Sequence, residues 1–168
     1  HNAYQKTLKQ RNRALKKKLS NSEVSLWSNK LSALGLELSL EQYNFFKIFK
    51  GHILESMEKN VSNDSFNYLD KLSLTFSKGW ERTKKLEESL FESLERDKAL
   101  GYTSKGPHRM DYTFTVDNKK ASSNLSRGQL KILILLVFLS SIKLLKDLID
   151  TETLLMIDDL GSELDLNN

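Results

Sequence analysis

The spacing of apolar residues predicts that the first part of the chain is helical. Over residues 2–20 apolar side chains recur at helical spacing. Ser22 and Ser39 are of a residue type that caps helix N-termini, and apolar periodicity follows each of them. We therefore predict two further helices, over about 23–35 and 40–59.

Strand patterns take over after the polar segment 60–65. Residues 72–76 and 112–116 alternate between apolar and polar side chains, as half-buried strands do. The second of these runs leads into Asp117-Asn118, a pair that favours a tight turn. The polar stretch 119–124 that follows is expected to be a loop.

Two more helices and a final strand are predicted in the second part. We expect a charged helix over 81–100 and a strongly apolar helix over about 127–147. Four apolar residues at 154–157 predict a buried strand. The sequence therefore indicates an α/β fold with α+β character, with a helical subdomain over 1–70 and an α/β part over 71–168.

Composition narrows the class of protein. Hydrophobic residues make up 39% and charged residues 29% of the 168 positions, which suits one soluble domain or part of a larger one. The absence of cysteine excludes disulfides and thiolate metal sites, and it agrees with a cytoplasmic protein. No apolar run approaches the roughly 18 residues of a membrane-spanning helix. The chain opens on His1, without methionine and inside a predicted helix, so we expect a piece of a longer protein.

Positive charge is concentrated in the first predicted helix. The net charge is +4, yet residues 1–18 contain seven Lys and Arg residues and no acid. A one-sided basic helix is typical of a surface that meets a polyanion, and it is also compatible with an ordinary solvated helix face. The candidates for contact with DNA or with a protein partner are Lys6, Lys9, Arg13, Lys16 and Lys17.

A polar loop turns into the apolar helix at Leu125-Ser126-Arg127-Gly128-Gln129. A helix N-terminus presents unpaired N–H groups and partial positive charge, so Ser126 and the amide of Gly128 could hold a phosphate. Ser126 with Gln129 three residues later is also the pattern of a capping box, which is the commoner explanation of such a pair. Both interpretations stay open for this motif taken alone.

The predicted strand at 154–157 runs into Asp158-Asp159 and then Ser162-Glu163-Leu164-Asp165. Carboxylates at the C-terminal edge of a buried strand lie where α/β sheets bind ligands, and oxygen ligands suit Mg²⁺. One acid can hold the metal while the other orients water, as in nucleotide hydrolysis. A strand followed by a solvated acidic turn fits the pattern as well.

Five segments of the chain together carry a family resemblance. They are Tyr4-Gln5-x-x-Leu8-Lys9-Gln10-Arg11-Asn12, Gly79-Trp80-Glu81, Gly106-Pro107-His108-Arg109-x-Asp111, Leu125-Ser126-Arg127-Gly128-Gln129-Leu130-Lys131 and Ile157-Asp158-Asp159-x-x-Ser162-Glu163-Leu164-Asp165. The last two occur in the order of an ABC-type ATPase. As a set, the segments resemble the RecF family of SMC-like ATPases, densely from about residue 70 onward and more sparsely over 20–70.

The resemblance implies an ATP-dependent, DNA-binding homodimer of the bacterial cytoplasm. RecF-like proteins bind DNA at gaps and junctions of single and double strands, and with RecO and RecR they help to load RecA in replication, recombination, repair and the SOS response. In each composite site one copy would hold ATP and Mg²⁺, and the other would offer its signature to the γ-phosphate. The signature would consist of Ser126, Arg127, Gly128 and Gln129.

Carboxylates complete the site that the resemblance implies. Asp158 would bind Mg²⁺, and Asp159 would polarise the attacking water. Many ABC proteins have glutamate at the second acid and Gly-Gly in the signature, so Asp159 and Arg127 depart from the general pattern, although they look normal for RecF. The shorter carboxylate is compatible with slow hydrolysis. The D-loop at the dimer interface would comprise Ser162, Glu163 and Asp165.

Two further features bear on activity. His108 and Arg109 resemble a family hallmark, and a turn histidine beside a surface arginine explains them as well.

The phosphate-gripping pattern G-x-x-x-x-G-K-[ST] occurs nowhere in the chain, and in RecF-like proteins it lies upstream. We therefore expect the whole protein to be a slow ATPase and this chain alone to be inactive. The alternatives are another SMC-like ATPase head, and a non-enzymatic helical adaptor for nucleic acid or protein in which Ser126 is only a cap.

Overall fold

The computed structural model describes residues 1–60 and 68–149 and, singly, Leu154 and Met156. The predicted mixed class is confirmed, because helices are combined with a sheet whose strand order is β1-β2-β3. The helices are α1 (Asn2–Lys16), α2 (Asn21–Asn60), α3 (Leu86–Glu92), α4 (Leu94–Leu100), α5 (Ala121–Asn124) and α6 (Arg127–Ile149). The strands are β1 (Leu72–Ser77), β2 (Asp111–Val116) and β3 (Lys119–Lys120).

The chain forms two compact units, each built from two separate stretches of sequence. The first contains His1–Phe45 and Phe76–Tyr112, and the second contains Phe46–Thr75 and Thr113–Asn168. The predicted division of the chain at residue 70 stays a prediction.

One face of α1 packs into the core of the first unit. Tyr4 and Leu31 are each 1% exposed, and Leu86 is fully buried. Gly35 permits the close packing, since a Cβ there would lie 2.5 Å from a Leu86 methyl carbon. The main cluster comprises Tyr4, Leu8, Leu31, Leu38, Trp80, Leu86 and Leu90. A second cluster comprises Ala14, Leu15, Val24 and Leu94, with Leu19 and Trp27 packed against it.

A tight hairpin joins β2 to β3 in the second unit. Asp117 and Asn118 have φ of 50° and 62°, the left-handed values that a two-residue type I′ turn requires. Val116 pairs with Lys119 across the turn. The predicted turn is confirmed, whereas the stretch 119–124, expected to be a loop, contains β3 and α5.

Helix α1 ends at Lys16 rather than at residue 20, in a Schellman motif. The Leu19 N–H donates to the Ala14 carbonyl at 3.1 Å, and the Lys18 N–H donates to the Leu15 carbonyl at 3.0 Å. Leu19 also packs against the cluster that contains Ala14. The motif requires a left-handed residue at position 18, and Lys18 has φ of 53°.

Replacing Lys18 by glycine should stabilise the chain by about 0.5–1 kcal/mol. Glycine avoids the roughly 1–2 kcal/mol that a side chain costs in the left-handed conformation, and it gives back part of this gain in backbone entropy. Urea denaturation measures the difference. Lys17→Gly removes the same charge at a right-handed position (φ −79°) and should be destabilising. Equal effects of the two variants would contradict the Schellman ending.

Helix α2 runs from Asn21 to Asn60 as one element, so the predicted helix start at Ser39 is wrong. Buried or half-buried positions continue at helical spacing at residues 31, 35, 38, 42, 46 and 49. This continuous stripe outweighs the capping preference of a single serine.

The first cap is Ser20 rather than the predicted Ser22. The Ser20 N–H donates to the Glu23 carboxylate at 3.0 Å, and the Glu23 N–H donates to the Ser20 hydroxyl oxygen at 3.4 Å. These bonds form a capping box. The Ser20 hydroxyl also donates to the carboxylate at 2.7 Å, and this bond lowers the pKa of Glu23.

The charged segment 81–100 forms two short helices instead of the single one predicted. Residues 82–84 form a turn and a bend instead of a helix, so α3 starts only at Leu86. Ser93 separates α3 from α4. The Ser93 hydroxyl lies 3.4 Å from the Leu90 carbonyl, and such local bonds compete with the helical ladder.

The predicted strand at 154–157 falls mostly outside the described residues. Leu154 and Met156, the two that are described, belong to no helix or strand and are each 86% exposed. A strand needs a paired neighbour, and the described sheet consists of β1, β2 and β3 alone. In the described part of the chain, no helix has the length and apolar character needed to cross a membrane.

Candidate functional site

The N-terminus of helix α6 carries the signature-like segment and is closed by a capping box. The Gln129 N–H donates to the Ser126 hydroxyl oxygen at 3.2 Å, and the Ser126 N–H donates to the Gln129 side-chain oxygen at 3.0 Å. The capping interpretation is therefore confirmed. It does not compete with phosphate binding, because a hydroxyl that accepts one hydrogen bond still has a proton to donate.

The same helix start leaves backbone donors open. Arg127 and Gly128 occupy the first two helical positions, where an N–H has no intrahelical acceptor. A Cβ placed on Gly128 would meet nothing within 4 Å, and Ser126 and Arg127 are exposed. Two amides, one hydroxyl and the positive end of a 23-residue helix therefore face a surface that suits an anion.

Helix α1 carries the second candidate surface, which we call the basic face. Its cations are exposed and form no ion pair among the described residues. Arg13 and Lys16 lie in the last turn, where the helix dipole favours positive charge. The basic face comprises Lys6, Lys9, Arg13, Lys16 and Lys17.

Arg11 belongs to the same basic run but lies on the buried side of α1. Its side chain and that of Asp97 are both 0% exposed, and the Arg11 guanidinium lies 2.7 Å from the Asp97 carboxylate. Arg11 also donates to the hydroxyls of Thr103 and Ser28 at 2.8 and 2.9 Å. Of the seven Lys and Arg residues in segment 1–18, Arg11 is therefore a structural residue and is unavailable to a ligand.

Asp97 extends this buried cluster into the loop after α4. Its other oxygen accepts the Ser104 N–H at 2.9 Å. The side-chain oxygen of Asn12, on α1, accepts the Thr103 N–H at 2.8 Å. These bonds fix the start of the loop that leads into Gly106–Arg109. We call the segment Gly106–Arg109 the His108 turn.

His108 is half-buried and is held at both ring nitrogens. Nε2 lies 3.0 Å from the Thr103 carbonyl, which can only accept, so Nε2 carries the proton. Nδ1 accepts from the Tyr4 hydroxyl at 2.7 Å. Gly106 (φ 137°) is required here, since a Cβ would lie 2.8 Å from the Tyr4 hydroxyl oxygen. Burial lowers the pKa of His108 and raises that of Tyr4, so both are neutral at pH 7.

The chain should become easier to unfold as the pH falls through about 6.5, the ordinary pKa of histidine. Burial holds the pKa of folded His108 below its ordinary value of 6.5. Its contribution to stability is therefore complete above pH 6.5, and it is lost at lower pH because the unfolded chain takes up the proton first. The slope can reach about 1.4 kcal/mol per pH unit. Urea denaturation of His108→Gln should show a weaker pH dependence, and an unchanged dependence would contradict the assignment.

Arg109 points outward, in contrast to His108. It is exposed, and its guanidinium carbon lies 5.3 Å from the centroid of the Tyr102 ring. The neighbouring Lys105 binds Glu81 at 2.6 Å, and this hydrogen bond lowers the pKa of Glu81 to about 2. In the structure, His108 is therefore a turn histidine, and Arg109 is a surface arginine beside it.

The structure brings some candidates together and leaves others untested. Ser126 to Gln129 form one helix start, and the lysines and Arg13 form one exposed face. The carboxylate candidates lie outside the described residues, so their roles stay predictions. They are Asp158, Asp159, Ser162, Glu163 and Asp165.

Sequence reasoning missed the buried cluster that supports the His108 turn. A signal was present, because Arg11 follows Leu8 at the spacing of the apolar stripe, and a cation in such a stripe needs a buried acid. The cluster residues missed are Tyr4, Arg11, Asn12, Asp97 and Thr103, and the exposed Tyr102 beside Arg109 was missed as well.

Comparison with known proteins identifies the family. The chain is 38% identical over 168 residues to the DNA replication and repair protein RecF of Nitrosococcus oceani, a match that covers 98% of the chain. It is 36% identical over 167 residues to the protein of the same name from Hahella chejuensis, again over 98% of the chain. The chain belongs to the RecF family. No family model matches it.

The RecF fold is shared as well. A solved structure of the recombination mediator protein RecF-ATP in the RecFOR pathway matches with a TM-score of 0.79 at 24% identity, over 97% of the chain and 45% of the solved chain. At that identity the likeness shows the fold alone. The chain spans 45% of the RecF of Nitrosococcus oceani and 44% of that of Hahella chejuensis.

Proposed function

We propose that the protein containing this chain is an ATP-dependent DNA-binding protein of recombinational repair in the bacterial cytoplasm. The observation that carries the proposal is the open start of α6, where the Ser126 hydroxyl and two backbone amides face outward within a signature sequence. Similarity to relatives named DNA replication and repair protein RecF supports it, as does similarity to the solved structure of RecF-ATP.

In the proposed mechanism, the signature of one copy meets the γ-phosphate of ATP held by a second copy. The capping box fixes Ser126 before the ligand arrives, so little conformational freedom is lost on binding. Gly128 lets the phosphate approach the backbone, since no side chain covers its amide. Homodimerisation then completes the site, with Ser162, Glu163 and Asp165 at the interface.

The carboxylates would supply the remaining chemistry of the proposed ATPase. Asp158 is assigned to Mg²⁺, which neutralises phosphate charge when bound, and Asp159 is assigned to the attacking water. Both assignments rest on the family resemblance of the sequence. Hydrolysis is accordingly proposed for the whole protein.

The basic face is the proposed surface for DNA. Helix α1 has 15 residues and spans roughly 22 Å at 1.5 Å per residue, so it can follow several phosphates of a strand. RecR is the alternative occupant of this face, with RecO as a further partner of the same pathway. The solved relative belongs to the RecFOR pathway, which supports those partners. Gaps and single-strand/double-strand junctions are the proposed DNA targets.

Reversing Lys9, Arg13 and Lys16 to glutamate in the complete protein should weaken DNA binding and flatten its salt dependence. Each lost phosphate contact lowers the log-log slope by roughly 0.9, so the triple variant should lose about 2 to 3. Fluorescence anisotropy over a salt series measures both quantities. The control variant reverses Lys30, Lys85 and Arg96, which are also exposed. Unchanged affinity and slope in the first variant would leave the basic face without a role in DNA binding.

A further inference from the structure

The loop between α4 and β2 exposes an aromatic residue and a cation side by side. Tyr102 is 39% exposed, and Arg109 reaches over its ring at 5.3 Å. Three other residues of the loop face inward. Thr103 and Pro107 are buried, and His108 bonds to Tyr4.

Tyr102 lies beside the basic face of α1. On one side, a Cβ on Gly101 would lie 3.3 Å from Cγ of Lys16. On the other side, the Thr103 N–H donates to Asn12, which is on the same helix. The basic face therefore continues into the pair formed by Tyr102 and Arg109.

Arg109 is the cation of this loop that is free to meet a phosphate. Lys105 is bound to Glu81, whereas Arg109 makes no ion pair among the described residues. The one described partner of its side chain is the face of the Tyr102 ring. A guanidinium stacked in this way keeps its N–H groups available to an anion.

We propose that Tyr102, Arg109 and Lys16 form a binding site for a DNA strand with unpaired bases. Tyr102 stacks against a base, with Arg109 and Lys16 on the phosphates. Cations alone would serve a duplex, whose bases are already stacked on each other. An exposed ring between cations is the combination that binds single strands. The inference rests on the proposed DNA-binding function and adds the residues that contact the unpaired strand.

The test uses the complete protein with ATP and three labelled DNAs in fluorescence anisotropy. They are a duplex, the same duplex with a short thymidine gap, and the same duplex with that gap made abasic. Tyr102→Leu should weaken binding to the thymidine gap about tenfold. It should leave the other two DNAs within about twofold, because neither offers a base to stack on. Tyr102→Phe keeps the ring and should bind all three as the unaltered protein does.

The outcomes separate this inference from the proposed function. If the unaltered protein binds none of the three DNAs, the proposed function fails. If it binds them and Tyr102→Leu weakens all three equally or none, the site is not a stacking platform and this inference fails. Arg109→Gln provides a second test of the site, since this variant loses a phosphate contact and should bind both gapped DNAs more weakly. An unchanged affinity of Arg109→Gln would remove Arg109 from the site.

Discussion

Asp97→Ala should destabilise the chain by about 3–5 kcal/mol, because it leaves the Arg11 guanidinium buried without a counter-charge. Both side chains are 0% exposed, and their charged atoms lie 2.7 Å apart. The substitution also removes the acceptor of the Ser104 N–H. Urea denaturation gives the change in the free energy of unfolding. Asp97→Asn, which keeps hydrogen-bonding capacity, covers the case in which the alanine variant does not fold.

The control for this prediction is Glu95→Ala on the same helix. The Glu95 side chain is 79% exposed and lies 3.7 Å from Lys98, so its loss should cost under about 1 kcal/mol. The double variant Arg11→Met, Asp97→Leu should recover much of the loss, because no unpaired charge remains. If Asp97→Ala costs no more than Glu95→Ala, Asp97 does not anchor Arg11.

Ser126→Asp in the complete protein should abolish ATP-dependent dimerisation while leaving the helix cap intact. Aspartate is as good an N-cap as serine, and its charge suits the positive end of α6. It cannot donate a proton to a phosphate oxygen, and its negative charge repels the γ-phosphate. We expect a loss of about a hundredfold or more in dimer affinity with ATP, since one close like-charge contact costs several kcal/mol. Analytical ultracentrifugation measures it.

Ser122→Asp introduces the same charge at an exposed position of α5 and should dimerise as the unaltered protein does. The thermal midpoint of Ser126→Asp reports on the cap separately, and it should not fall. The adaptor alternative, in which Ser126 is only a cap, predicts that both variants dimerise normally. ATP-dependent dimers of Ser126→Asp would therefore favour that alternative.

Local chemistry was enough to predict several elements. The turn at Asp117-Asn118 and the box at Ser126 and Gln129 each follow from a few adjacent side chains, and the structure contains both. Ser39 shows where local rules fail, because a capping residue acts only if the apolar stripe stops there, and in α2 the stripe continues.

Long-range pairing could not be predicted from one sequence. Arg11 and Asp97 are 86 residues apart, and Tyr4 and His108 are 104 apart. Many acids could have faced Arg11, and only packing selects one of them. For the same reason the sequence counted Arg11 only among the seven basic residues of segment 1–18 and left Tyr102 without a role.

The most direct test of the central claim is the mass of the complete protein, measured by light scattering with ATP, with ADP and without nucleotide. If ATP is recognised across two copies, the protein should be a dimer with ATP and Mg²⁺ and a monomer in the other two conditions. One mass in all three conditions would contradict the account, because the open start of α6 would then have no nucleotide to meet.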